Sequence, residues 1–142
     1  MVLKEAVKTD KAPLPLPFFS QAIKCQGLVY CSGSIGVDPA TSKLVEGSVA
    51  DRTAQSLKNL SAVLEAAGSS IDNAVKVNVF LTNMENFAAM NKVYDGFFTK
   101  EPKPVRTCVA VHQLPLGTDV EIELTAHLAV ESQAVNALGR DW

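Results

Sequence analysis

The hydrophobic period of this chain alternates between two values, and that alternation limits the folds open to it more than any other feature. Leu57, Leu60, Leu64 and Ala67 recur at helical spacing, with Val63 widening the stripe. After Gly68, a helix stop, Val75, Val77, Val79 and Leu81 alternate with Lys76, Asn78, Phe80 and Thr82, the period of a half-buried strand. Phe87, Met90, Tyr94 and Phe97 then return to one face of a second helix. A strand between two amphipathic helices needs a sheet to join and a layer to cover it.

The flanking segments supply that sheet. Residues 1–17 read as an extended N-terminal segment, because Pro13, Pro15 and Pro17 alternate with Leu14, Leu16 and Phe18, which opposes both helix and central strand. Gln21–Cys25, a Gln26-Gly27 turn and Leu28–Ser32 predict a β-hairpin. Cys25 then faces Leu28 and Cys31 faces Ala22, so the thiols are not cross-strand partners. Residues 33–36 and Asp38-Pro39 mark a loop. Ser48 opens the first helix, with Asp51 three residues on as a variant capping box, and Asn83 is placed to cap the second. Pro102 and Pro104 block its continuation. Val105–Val111 puts Arg106, Cys108 and Ala110 on one face. Val120–Leu128 separates Val120, Ile122 and Leu124 from Glu121, Glu123 and Thr125. The order strand, strand, helix, strand, helix, strand, strand predicts an α+β sandwich, one mixed sheet with both helices on one face. Residues 1–142 are read as a single domain, with 131–142 as a short tail.

Composition narrows the function classes. With 142 residues, 47% of them hydrophobic, the chain is long and apolar enough for a core without disulfide or metal staples. A net charge of -2 and three arginines, Arg52, Arg106 and Arg140, argue against a nucleic-acid surface. There is no apolar run of membrane-spanning length, and the N-terminus lacks a secretory signal. Three cysteines without a Cys-x-x-Cys pair read as free thiols of a cytoplasmic protein, with mitochondrion and nucleus also open. His112 and His127 lack zinc-ligand spacing and read as half-exposed strand residues.

Phosphate-loop, zinc-protease and serine-hydrolase motifs are lacking. The residue that stands out is Arg106, a cation inside an apolar strand. Its rigid fork matches a carboxylate. It serves either a structural ion pair with Glu121 or Glu123, or a substrate acid. Cys108 shares its face, either as a nucleophile beside a cation or as a small packing residue. Ser32-Gly33 offers backbone N–H groups to an anion, or is simply a turn. Asn91 interrupts the apolar side of the second helix, by default as a capping or solvent-facing residue.

Taken together, Pro104-Val-Arg-Thr-Cys-Val-Ala-Val111, Leu114-Pro115 and Val120-Glu121-Ile122 resemble the signature of the RidA/YjgF family of reactive-intermediate deaminases, also called the L-PSP endoribonuclease family. Ser20–Ile23, Ser32-Gly33, Val75–Leu81, Phe87-Ala88, Asn91, Tyr94 and Phe97-Phe98 resemble family positions in order, so the likeness runs over residues 15–128. It implies a chorismate-mutase-like fold of the bacillus type and a homotrimer with a barrel core and sites at subunit interfaces. It also implies cofactor-free and metal-free hydrolysis of 2-imino acids, formed from enamines such as 2-aminoacrylate, to 2-oxo acids and ammonia. Carried over by position, Arg106 grips the substrate carboxylate and Glu121 holds the attacking water. Cys108 gives backbone and van der Waals contact, Ser32, Gly33 and Asn91 line the cleft, and Phe19 walls it from a neighbouring subunit. Three positions depart from the pattern. Phe18-Phe19 stands where Pro-Tyr is usual, which removes a hydroxyl from the cleft. Ser34 replaces glutamine, and Thr107 replaces a smaller or apolar residue. Other family roles are a non-catalytic, ligand-binding or chaperone-like function and an RNA-cleaving one. The negative charge, and the want of a histidine base beside Arg106, count against the last.

Overall fold

The computed structural model describes residues 3–129. Eight strands and two α-helices follow one another as β1 (Glu5–Val7), β2 (Ala22–Cys25), β3 (Leu28–Cys31), β4 (Val37–Asp38), β5 (Lys43–Leu44), α1 (Val49–Ala66), β6 (Ala74–Leu81), α2 (Phe87–Phe97), β7 (Val105–Ala110) and β8 (Val120–His127). The main sheet has the order β1-β2-β3-β8-β6-β7. Its pairings are antiparallel except β6 with β7, which run parallel, as a crossover through α2 requires. The sheet is therefore mixed, and both helices cover one face of it.

Period-2 alternation decides which face that is. Val120, Ile122, Leu124 and Ala126 of β8 are almost wholly buried, as are Val77, Val79 and Leu81 of β6. They meet Leu57, Leu60, Val63 and Leu64 of α1 and Met90 of α2 in one core, each large side chain contributing about 1.5–3 kcal/mol by leaving water. The opposite face carries Tyr30, Phe80, Thr107, Val109, Glu121 and Glu123 and stays half-buried or exposed.

The ends of α1 are closed chemically. Ser48 accepts from the Ala50 N–H while Asp51 accepts from the Ser48 N–H, a reciprocal capping box. At the other end Gly68 takes φ +82°, and Ser69 and Gly68 N–H groups donate to the Leu64 and Glu65 carbonyls, a Schellman closure.

The structure departs from the sequence reading in four places. Residues 5–7 of the extended segment are a strand paired to β2. The segment folds back because the buried Gln21 side chain accepts from the Thr9 N–H and donates to the Thr9 and Pro13 carbonyls. The loop after β3 contains the small β4-β5 hairpin. Asn83 caps a single 3-10 turn, Met84–Asn86, rather than α2 itself. His112 lies beyond the end of β7 in an exposed bend, off the strand face. The 131–142 tail lies outside the described residues. The hairpin register is as expected, Cys25 opposite Leu28 and Cys31 opposite Ala22, and all three cysteines are free thiols.

The β3–α1 loop is tied down by polar contacts that periodicity does not reveal. The Ser34 and Ser56 hydroxyls each donate to the other's backbone carbonyl, and Asn59 donates to the Ile35 and Val37 carbonyls. Gly36 packs so closely on α1 that a Cβ there would lie 2.7 Å from the Arg52 Cα. Arg52 forks onto Asp119 at 2.7 and 2.8 Å and also donates to the Val45 and Gly47 carbonyls. This pair is about one-fifth exposed, so screening reduces it below a fully buried one. Arg52→Met or Asp119→Asn is expected to cost about 2 kcal/mol at pH 7. The Arg52 guanidinium holds the Asp119 carboxyl below its ordinary value. Its contribution is therefore fully present above the unfolded value near 3.9 and lost as pH falls through the depressed folded value. Denaturant titrations of wild type and Asp119→Asn should differ at pH 7 and converge at acidic pH. A gap that persists undiminished below about pH 3 would contradict the linkage.

Candidate active site

The residues singled out from the sequence fall into two clusters. The first surrounds Arg106. On β7 it lies in register with Val77, which is itself in register with Leu124 of β8. Arg106 therefore belongs to the helix-covered face, under α2. Its Nη1 donates to Asn91 Oδ1 at 2.6 Å. Its Cζ sits 4.8 Å from the Tyr94 ring centroid and 5.6 Å from that of Phe87. A cleft of about 250 Å3 opens beside it, lined by Tyr94, Asp95, Phe98, Lys103 and Pro104. Among the described residues no carboxylate lies within ion-pair distance of Arg106. Within one chain Arg106 and the two glutamates of β8 are therefore not paired, because β6 lies between β7 and β8. Asn91 is not solvent-facing by default; it is spent on Arg106.

Cys108 follows Arg106 on the same face, in register with Val79. Burial pushes its thiol up, with the Arg106 charge as the weaker opposing influence. The thiolate a nucleophile needs is therefore disfavoured, and the Cys108 side chain packs, partly buried, against the core.

The second cluster is built around Glu121. On β8 it lies in register with Phe80, one residue out of phase with Ile122, so it projects from the open face. Burial, and then the charge of Glu123, raise its carboxyl above the ordinary value. Glu123 accepts a hydrogen bond from Asn78. Ser34 and Ile122 exchange backbone hydrogen bonds in both directions, which lays Gly33 across Glu121; a Cβ at Gly33 would overlap the carboxylate. Ser32 donates its hydroxyl to the Ser20 carbonyl at 2.6 Å, and Gly33 beside it is exposed. Phe19, beside Ser20, is 46% exposed and tilted against Phe18 at 5.8 Å. Ser34, one of the departures, turns its hydroxyl inward to α1 and so serves the loop.

One chain thus brings together Arg106, Asn91 and Cys108, and separately Ser32, Gly33 and Glu121, while Phe19 lies exposed beside Ser20. Arg106 and Glu121 face opposite sides of the sheet.

A family model described as Endoribonuclease L-PSP matches residues 9–128. The chain belongs to the RidA/YjgF, or endoribonuclease L-PSP, family. It is 51% identical over 129 residues to "Protein mmf1, mitochondrial" of Schizosaccharomyces pombe, covering 89% of this chain and 77% of that one. It is 38% identical over 125 residues to the "2-iminobutanoate/2-iminopropanoate deaminase" of Mus musculus, covering 88% and 92%. The crystal structure of yeast Mmf1 superposes with a TM-score of 0.85 at 42% identity, covering 89% of this chain and 99% of that one. The α+β, chorismate-mutase-like architecture is that of this RidA/YjgF member as well.

Sequence reasoning missed Phe87 and Tyr94 as neighbours of Arg106. Their spacing from Asn91, four and three residues, was the available signal, since it sets all three on one helix stripe.

Proposed function

We propose that this RidA/YjgF protein hydrolyses 2-imino acids to 2-oxo acids and ammonia, in sites assembled between copies of itself in a homotrimer. The observation that carries the reading is an arginine fork with no carboxylate partner among the described residues, oriented by an asparagine, in a small cleft. A carboxylate-bearing ligand is what such a fork fits. The mouse relative's name supplies the imine.

Arg106 binds the substrate carboxylate and fixes the position of C2. Because Glu121 faces away from the Arg106 of its own chain, the water is held by Glu121 of a second copy. The exposed Tyr30, Val105 and Val109 side chains leave apolar surface for that copy to cover. Water adds to C2 as one of its protons passes through Glu121 to the imine nitrogen; the hydroxyl proton of the resulting carbinolamine then passes, again through Glu121, to that nitrogen as the C–N bond breaks and the C2 carbonyl forms. Ammonia departs and the 2-oxo acid remains. Burial, and then the Glu123 charge, raise the Glu121 carboxyl above its ordinary value and make its carboxylate a stronger base, which suits it to take and return protons. The imine is already electrophilic, so positioning and one proton relay suffice.

The test generates enamine with threonine or serine dehydratase and traps the imine with semicarbazide. This protein should suppress trapping and release 2-oxo acid faster than buffer. Saturable binding of 2-oxobutanoate with trapping unchanged would instead assign it the family's binding role.

A further inference from the structure

We infer that Phe87 and Tyr94 are positioning residues that hold the Arg106 fork in its carboxylate-binding orientation, an inference that rests on the proposed carboxylate site. Phe87, Asn91 and Tyr94 occupy positions i, i+4 and i+7 of α2, one stripe of the helix, and all three touch Arg106. A guanidinium on an edge strand without an ion-pair partner has a long, mobile stem. Here it is fixed by three contacts that leave its fork open. Asn91 uses an N–H of one terminal nitrogen, so most of the five donors remain available. The two rings lie within the ~6 Å at which an aromatic face attracts a cation, and a ring accepts no proton from the fork's edge. A carboxylate in their place would neutralise the cation and compete with substrate.

Tyr94 is itself braced. Its ring stacks on Phe98 at 4.3 Å and 28°, and Phe98 is 4% exposed. Its hydroxyl is buried with no hydrogen-bond partner among the described residues. The ring therefore does the positioning, and the hydroxyl contributes nothing to it.

The experiment compares Tyr94→Leu, Phe87→Leu, Tyr94→Phe and Met90→Ala. Each is measured for KM and kcat in imine hydrolysis, for the Kd of 2-oxobutanoate by calorimetry, and for Tm. Tyr94→Leu is expected to raise KM and Kd about tenfold with kcat nearly unchanged, because carboxylate anchoring contributes equally to ground and transition states. Phe87→Leu should do the same to a smaller degree, its ring being farther away. Tyr94→Phe should keep the wild-type KM and raise Tm, since it removes an unsatisfied hydroxyl. Met90, wholly buried on α2, is the control: Met90→Ala should lower Tm and leave KM and Kd in place. The inference is overturned if Tyr94→Leu keeps the wild-type Kd, if Tyr94→Phe weakens binding as much as leucine does, or if Met90→Ala weakens it equally. Wild type that neither binds 2-oxobutanoate nor hydrolyses imine overturns the carboxylate site and this inference together. Wild type that does both, alongside an unaffected Tyr94→Leu, overturns this inference alone.

Discussion

Arg106→Ala is expected to lower kcat/KM for imine hydrolysis by about a hundredfold to a few thousandfold. Among the described residues the fork has no carboxylate partner, so its charge is available to the ligand. Losing a charged, bidentate anchor in a partly desolvated cleft costs about 3–5 kcal/mol. Lysine should not restore the rate, because a point charge cannot span both carboxylate oxygens. Tm should change little, since no ion pair is broken. The readout is 2-oxo acid release in the coupled assay, with Tm on the same preparations. An Arg106→Ala variant that retains more than a third of wild-type activity would remove Arg106 from the site.

Mixing two inactive variants should regenerate activity. Glu121→Gln alone is expected to lose about a hundredfold or more in kcat, the usual weight of a positioned acid-base group. Its stability should hold or rise. Folding raises the Glu121 carboxyl value, so the ionised form is disfavoured in the native state at pH 7, and glutamine removes that penalty. Arg106 and Glu121 occupy opposite faces of the sheet, with β6 between their strands. If each site draws one residue from each of two copies, co-refolded Arg106→Ala and Glu121→Gln chains form some interfaces with both native residues. In a closed ring of three, random assembly gives about one intact site in four. The mixture should therefore reach about a quarter of wild-type activity, while each variant alone stays near background. Mixtures no more active than their parents would place the chemistry within one chain, and the shared-site reading would fall.

How much of this was legible in the sequence can be judged from particular elements. β6 and β8 were legible because strict alternation of Val, Ile and Leu with polar residues has one explanation. Both ends of α1 were legible because Ser48, Asp51 and Gly68 are local capping chemistry. β1 was not, since three residues beside a proline run carry no periodic signal; it pairs because Gln21, buried fourteen residues away from Val7, clamps the chain around Thr9. The Arg52–Asp119 fork joins residues 67 apart in sequence, beyond the reach of any local pattern. Asn91 was legible as an interruption of an apolar stripe, but its use depended on which strand α2 covers.

The sequence by itself determined the two helices, the strands β2, β3, β6, β7 and β8 in their order, the family, and that Arg106 is chemically out of place in its strand. These follow from periodicity, capping and motif, which act over a few residues. Only the tertiary structure decided that β8 inserts between β3 and β6, that β7 is left at the sheet edge beneath α2, and that Arg106 and Glu121 therefore face apart. A side chain's parity along its own strand is local, but the relative parity of residues on two strands is set by the register between them. That register is chosen by the packing of the whole core.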